Sequence, residues 1–373
     1  MTPNRRGTDK PLIFAGVPGD LFAARMAEQM GTELAPAKYL RFSGVVKGGE
    51  EAKPEVMVNV HDRVTVVVWS PANLNDELVQ VLLLIEALKE SEAQKVVLVV
   101  PYYPYARQDK AHGRREPISA KVVAKLLEAV DLDSIIYFDI HADQIQGFFR
   151  TVKVRGLWFD EPYMHYLTMR LAELMAYFQI QNGKIKSLTP DEGAVYANYR
   201  IARKMLHGLA VHLKKRNWDS VHSVESMGIA GLVRGCLLWC RDDIVASGDS
   251  LFAAAEQAKK KGAKYVMAVA SHALGFNKEA SWPFVRKLNN SPLDELIVTN
   301  SVAVFADRVA KTPGLRRKIS VLDISPYACI ALKRYLLGET VRGMMKEVND
   351  GDLYRELIVS DQAQMIRDSL AAR

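Results

Sequence analysis

Cysteine is scarce in this 373-residue chain: there are three, Cys236, Cys240 and Cys329, with no CxxC pair among them. That excludes a disulfide framework and a thiolate zinc site, and points to reduced, mostly buried thiols in a cytosolic protein. Long apolar runs are also missing. None approaches the roughly 20 residues of a membrane-spanning helix, and the opening MTPNRRGTDK has no apolar leader core. A cytoplasmic location with no membrane partner is therefore expected. Charge of one sign is not dominant either. Fifty Lys and Arg against 43 Asp and Glu leave a net +7, with the basic residues scattered among acidic ones. No basic helix or RNP-like motif is present, so the positive potential suits phosphate-bearing small molecules better than nucleic acid.

What is present is ordinary for a globular enzyme: 49% hydrophobic and 25% charged residues, over a length that suits two domains. Apolar runs alternate with helical periodicity. Strands are expected at Pro11 to Ala15, Val64 to Trp69, Lys95 to Val100 and Ile135 to Phe138. Helices are expected from Asp20, a capping residue, to Met30, then at Asn75 to Glu90 and Ser119 to Ala129. A charge-rich turn, Arg150 to Pro162, interrupts the pattern. Beyond it the alternation resumes: Tyr163 to Phe178 (helix), Ile185 to Leu188 (strand), Tyr196 to Leu206 (helix), Leu209 to Leu213 and Cys236 to Cys240 (strands). Ser250 to Lys261 (helix), Tyr265 to Ala270 and Leu296 to Thr299 (strands), and Tyr327 to Leu337 (helix) complete it. The expectation is an α/β protein of two domains, 1–155 and 156–325, each with a mainly parallel sheet, followed by a helix and tail at 326–373 that packs back on the first domain.

In such sheets ligands sit outside the carboxyl ends of the strands. One strand end delivers Arg107, Gln108, Asp109 and Lys110; another delivers Asp139, His141 and Asp143, a possible metal set. Asp191, between Pro190 and Gly193, is a further strand-end carboxylate that either shares an ion or caps a helix. Lys214, Lys215 and Arg216 follow a strand and read either as a solvated face or as charge for phosphoryl transfer. Asp242 and Asp243 also follow a strand, and paired carboxylates there suit magnesium or sugar hydroxyls. The loop Ala246, Ser247, Gly248, Asp249, Ser250 then precedes a helix N-terminus, where free N–H groups favour an anion.

These segments are collinear with a known family. PYYPYARQDK at 101–110, EPISAK at 116–121 and DIHADQIQGFF at 139–149 resemble the ribose-phosphate pyrophosphokinases, or phosphoribosyl-pyrophosphate (PRPP) synthetases. NLNDEL at 73–78, TPDEG at 189–193, KKR at 214–216 and SPYACIALKRYLLGE from 325 extend the match. The resemblance implies two phosphoribosyltransferase-like domains and Mg²⁺-dependent transfer of the β,γ-diphosphate of ATP to the anomeric hydroxyl of a ribose, releasing AMP. It implies that Arg107 and Gln108 hold ATP, that Asp109 shapes that site, and that Phe42 and Ser43 belong to a segment that reaches the adenine of a neighbouring subunit. It assigns His141 and Asp191 to magnesium, Lys214 and Arg216 to transition-state charge from a mobile loop, and Asp242 and Asp243 to the ribose hydroxyls. The loop at 246–250 would take the 5-phosphate. A homo-oligomer, dimer or hexamer, is also implied.

Two departures stand out. After Arg41, Phe42 and Ser43 the family's Asp-Gly-Glu is replaced by GVVKGGEEAKPEV, read as an insertion at 44–56. In the phosphate loop Asp249 stands where the family keeps a small residue. A bare carboxylate beside a phosphate dianion costs on the order of a few kcal/mol. The acceptor is thus either ribose 5-phosphate or a 5-extended ribose such as ADP-ribose. A non-catalytic regulatory homologue is the alternative, disfavoured because the functional residues survive. A phosphoribosyltransferase would leave the ARQDK and DIHADQIQGFF stretches unexplained.

Overall fold

The computed structural model describes residues 10–46, 49–111, 113, 115–216, 224–274, 281–312, 314 and 317–340, with backbone alone at 44–46, 49, 214–216, 224–226 and 281–282. The chain divides into two compact units. The first takes the chain up to Trp158, Ser301–Ala303 and the segment from Ala328; the second takes Phe159–Asn300 and Val304–Tyr327.

The first unit runs β1 (Leu12–Ala15), α1 (Leu21–Gln29), β2 (Ala37–Val46), β3 (Gly49–Val56), β4 (Val64–Val68), α2 (Leu74–Glu90), β5 (Lys95–Val100), α3 (Ser119–Ala129), β6 (Ser134–Phe138) and β7 (Lys153–Leu157). Its five-stranded sheet has the order β1-β4-β5-β6-β7 and is parallel throughout. The central strands are continuous β-branched runs because both faces are covered: Val66 to Val68 and Val96 to Val100 are buried. Phe14, Trp69, Leu84, Ile85, Leu98 and Tyr137 belong to one core. Asp20 caps α1 as its position suggests, accepting from the Phe22 and Ala23 amides at 2.9 and 3.1 Å.

One expectation fails here, and one segment left open takes form. The turn at Arg150 to Pro162 contains β7, an edge strand whose Lys153 and Arg155 carry no apolar alternation, since only one of its sides is paired and most of it faces solvent. The insertion at 44–56 supplies β3, which pairs antiparallel with β2. Arg41 fastens this hairpin to α2 through Asp76 at 2.7 Å and Gln80 at 3.1 Å.

The second unit runs α4 (Asp160–Phe178), β8 (Ile185–Thr189), α5 (Val195–Lys204), β9 (Gly208–Arg216), β10 (Val224–Ala230), β11 (Leu237–Val245), α6 (Asp249–Lys260), β12 (Tyr265–Ala273), α7 (Ser281–Asn290), β13 (Glu295–Thr299), α8 (Ala303–Lys311), β14 (Ile319–Leu322) and α9 (Ser325–Leu337). The first residue of α8 and the later part of α9 belong to the first unit. The sheet order is β10-β9-β8-β11-β12-β13-β14, parallel except for β10. From β8 the chain first moves one way, to β9 and β10, then returns to the other side as β11. That reversal is the switch point at which open α/β sheets leave a crevice. The sheet is anchored to α4 by a buried, fully hydrogen-bonded set: Glu295 accepts from Arg170 Nε at 2.9 Å, from Tyr166 and Tyr265 at 3.1 Å and from Ser320 at 2.7 Å.

Late segments of the chain are built into the first unit. Ser70 donates to the Ser301 carbonyl and accepts from the Ala303 amide, both at 2.9 Å. From α9, the Cys329 thiol reaches the Met26 carbonyl at 3.5 Å, and the Tyr335 hydroxyl meets Ser134 at the start of β6. All three cysteines are buried and no disulfide joins them.

Candidate active site

In the first unit two strand ends build the rim. Past β5, Tyr105 adopts a left-handed φ of +59°, uncommon for a bulky side chain. The sharp turn is closed by the Gln108 amide donating to the Tyr105 carbonyl at 2.9 Å. Tyr102, Tyr103 and Ala106 go inward, and Arg107 and Gln108 go to the surface. Gln108 is tied to the start of α3, its carbonyl accepting from the Ala120 amide at 3.1 Å and its side chain from the Ser119 hydroxyl at 2.5 Å. Asp109 is buried and accepts from the Gln144 side chain, which joins this turn to the one after β6.

Past β6, Asp139 also has a positive φ, +41°, and is fully buried, its amide bonded to the Leu157 carbonyl at 2.7 Å. His141 follows it into solvent. Asp139 therefore shapes the turn and does not face the ion expected of the Asp139, His141, Asp143 set. Among the described residues no group of three His, Cys, Asp or Glu is arranged around a metal position. Phe42 and Ser43 lie exposed on β2, opposite Glu51 and Glu50.

In the second unit, β8 and β11 flank the switch point. Asp191 follows β8, and its carboxylate accepts from the Ala194 amide at 3.2 Å, so it orders the start of α5. Asp242 and Asp243 do not follow a strand, as their sequence suggests, but lie within β11. That strand pairs with β8 only up to Trp239 yet follows β12 to Ala273. The overhang leaves the aspartates beside the open end of β8. Burial first, and then the neighbouring Asp243 and Asp191, together raise the Asp242 pKa to about 8. Carboxylates crowded this way are relieved by a cation or by hydroxyl donors. Hard oxygen ligands of this kind fit magnesium.

The phosphate loop also differs from expectation, because α6 begins one residue early, at Asp249. Gly248 is the N-cap at φ +73°, and a Cβ there would lie 2.5 Å from the Phe252 ring, so only glycine is accommodated. The Asp249 carboxylate is not bare. Lys287 Nζ of α7 lies 2.6 Å from its Oδ1. Partial burial pulls its pKa up, but the Lys287 ammonium and the Ser247 hydroxyl outweigh this and hold it below the usual carboxylate value. Lys214 and Arg216 were expected in a loop after Leu213; instead β9 continues through them, with Lys214 opposite Ser226 and Arg216 opposite Val224. Residues 217–223, the remainder of the expected loop, lie outside the described residues, as does the tail past 340.

Two contributors escape the sequence reading. Lys287 lies 38 positions from Asp249 on a separate helix, where no local pattern marks it. Gln144 sits inside the quoted DIHADQIQGFF stretch, yet its bond to Asp109 spans 35 positions. Among the described residues no helix is long and apolar enough to cross a membrane.

Comparisons with known proteins bear on the family and the fold. The sequence model of the N-terminal domain of ribose phosphate pyrophosphokinase matches residues 12–130, and that of the phosphoribosyl synthetase-associated domain matches residues 215–346. The ribose-phosphate pyrophosphokinase of Aquifex aeolicus is 31% identical over 337 residues, covering 89% of this chain and 98% of its own. That of Xanthomonas axonopodis pv. citri is 33% identical over 336 residues, covering 89% and 97%. The crystal structure of phosphoribosylpyrophosphate synthetase from Mycobacterium smegmatis superposes with a TM-score of 0.74 at 27% identity, over 88% of this chain and 100% of that one.

Proposed function

The chain belongs to the ribose-phosphate pyrophosphokinase family, and from that premise we propose that it transfers the β,γ-diphosphate of ATP to the 1-hydroxyl of ribose 5-phosphate. The ribose oxygen attacks the β-phosphorus in line, the bond between the α–β bridging oxygen and that phosphorus breaks, AMP leaves, and the hydroxyl proton passes to water. The task for the protein is positioning and charge, not covalent catalysis.

The observation that carries this reading is the switch point of the second sheet, where Asp242, Asp243 and Asp191 crowd one another and the chain runs on from Asp243 to the glycine-capped N-terminus of α6. Carboxylates accept from vicinal sugar hydroxyls, and the amides of a helix start take a phosphate. Asp242 and Asp243 thus bind the 2- and 3-hydroxyls, and Ala246 to Ser250 the 5-phosphate. Arg107 and Gln108 hold ATP, with Asp109 bracing their turn and Phe42 and Ser43 serving the adenine of a neighbouring subunit. Lys214 and Arg216 carry charge for the transition state. His141 on the first unit and Asp191 on the second are each proposed to contact magnesium, which when bound would neutralise phosphate charge.

Ribose 5-phosphate is favoured over a 5-extended acceptor. The case for ADP-ribose rested on a bare Asp249, and that carboxylate is paired. The named relatives support neither ADP-ribose nor a regulatory, non-catalytic role. The test is to incubate pure protein with Mg-ATP and ribose 5-phosphate or ADP-ribose, and to follow AMP together with the diphosphorylated sugar. Acceptor-dependent AMP release with ribose 5-phosphate is expected. Release with ADP-ribose alone would reassign the acceptor, and no release with either would overturn the reading.

A further inference from the structure

The one side chain that departs most from the phosphate-loop pattern is also one whose charge is answered from another element. Asp249 is the first residue of α6, beside the amides that take the phosphate, and its carboxylate meets Lys287 Nζ at 2.6 Å. Lys287 extends from α7 and remains half exposed, as does Asp249. We infer that Lys287 is the acceptor-specificity residue of this enzyme: its ammonium cancels the Asp249 charge and leaves the helix start able to accept a terminal phosphate dianion. This rests on the reading of 246–250 as the 5-phosphate site.

The chemistry separates two kinds of acceptor. A terminal phosphate brings close to two charges to the α6 N-terminus, whereas a 5-phosphodiester brings one per phosphorus. Without Lys287 the Asp249 carboxylate stands uncompensated, and the dianion suffers more than the diester. Without Asp249 the ammonium is released toward the phosphate, and binding of the dianion tightens. With both gone, the loop returns to near its original balance.

Calorimetric binding of ribose 5-phosphate, run without ATP, reads this independently of turnover. Lys287→Met is expected to weaken binding roughly tenfold, Asp249→Asn to tighten it several-fold, and the double variant to lie within about threefold of the parent. In turnover the Lys287→Met effect falls on KM for ribose 5-phosphate, while KM for ATP stays put and preference shifts toward ADP-ribose. Unchanged ribose 5-phosphate binding in Lys287→Met, or equal weakening in both single variants, would overturn the inference. If the parent binds ribose 5-phosphate and the variants shift as stated but no AMP forms, the reaction assigned above fails while the charge balance stands. If the parent does not bind ribose 5-phosphate at all, the assignment of the site fails and the inference with it.

Discussion

The strand ends of the first unit present Arg107 and Gln108 from a turn with a left-handed residue, whereas those of the second present carboxylates and a helix start. On the proposed assignment the contrast follows ligand chemistry. Polyphosphate oxygens call for cationic and amide donors, held out by turns such as those at Tyr105 and Asp139. Non-glycine residues in left-handed conformations cost roughly 1–3 kcal/mol each and persist where the surroundings over-determine them. Here the Gln108 bonds to Ser119 and Ala120 and the Asp109 bond to Gln144 supply that support. A sugar instead calls for acceptors, and the second sheet provides them through topology, because β11 outruns β8 at the switch point. At these strand ends the first unit holds left-handed turns, and the second crowds like charge.

The contrast breaks most visibly if the two chemistries are not separable. Replacing both Asp242 and Asp243 by Asn should lower kcat/KM for ribose 5-phosphate by about a thousandfold, or ~4 kcal/mol, with calorimetric ATP affinity altered by less than about threefold. Loss of ATP affinity to the same degree would end the division of labour. The converse change is Arg107→Ala. Losing a charged hydrogen bond worth about 1.5–3 kcal/mol should raise KM for ATP some 10- to 100-fold and leave the KM of the acceptor within about twofold. Next comes the brace. Gln144→Leu takes the amide donor from buried Asp109 and should cost about 1–3 kcal/mol of stability, read as a lower Tm, with a few-fold rise in KM for ATP. An unmoved Tm would show that the two turns are independent.

The smallest expected effect sharpens the electrostatics of the second unit. His207 is lowered to about 4 by burial, and its Nδ1 accepts from the Trp239 indole at 3.1 Å. The folded state therefore refuses a proton that the unfolded chain takes up near the ordinary value of 6.5. Its contribution to stability is complete above pH 6.5 and declines as the pH falls toward 4. His207→Gln, which keeps an acceptor for the indole, should flatten the Tm profile across that interval; an unchanged slope would show that other groups set it.

Much of this was legible in the residues. Val64 to Val68 and Lys95 to Val100 announce buried parallel strands, and the Asp20 cap follows from its side-chain type. The rim positions of Arg107, His141 and Asp191 follow from strand ends. Elements that lack apolar periodicity stayed hidden: β7 because it is a polar edge, β3 because Pro54 and its glutamates do not resemble a strand, and the last part of β11 because aspartates interrupt it. The charge state of the phosphate loop was out of reach for a different reason. Repulsion at Asp249 can be deduced from its neighbours, but its relief comes from Lys287, brought near only by tertiary packing.

The way the first unit borrows from the far end of the chain bears on how it is made. Its sheet is encoded before Trp158, but Ser301, Ala303, Cys329 and Tyr335 are part of its buried structure. During synthesis the first unit therefore lacks these contacts until Ser301 and then Cys329 and Tyr335 have been translated, so the strands of its sheet leave the ribosome well before the segments that complete its buried contacts.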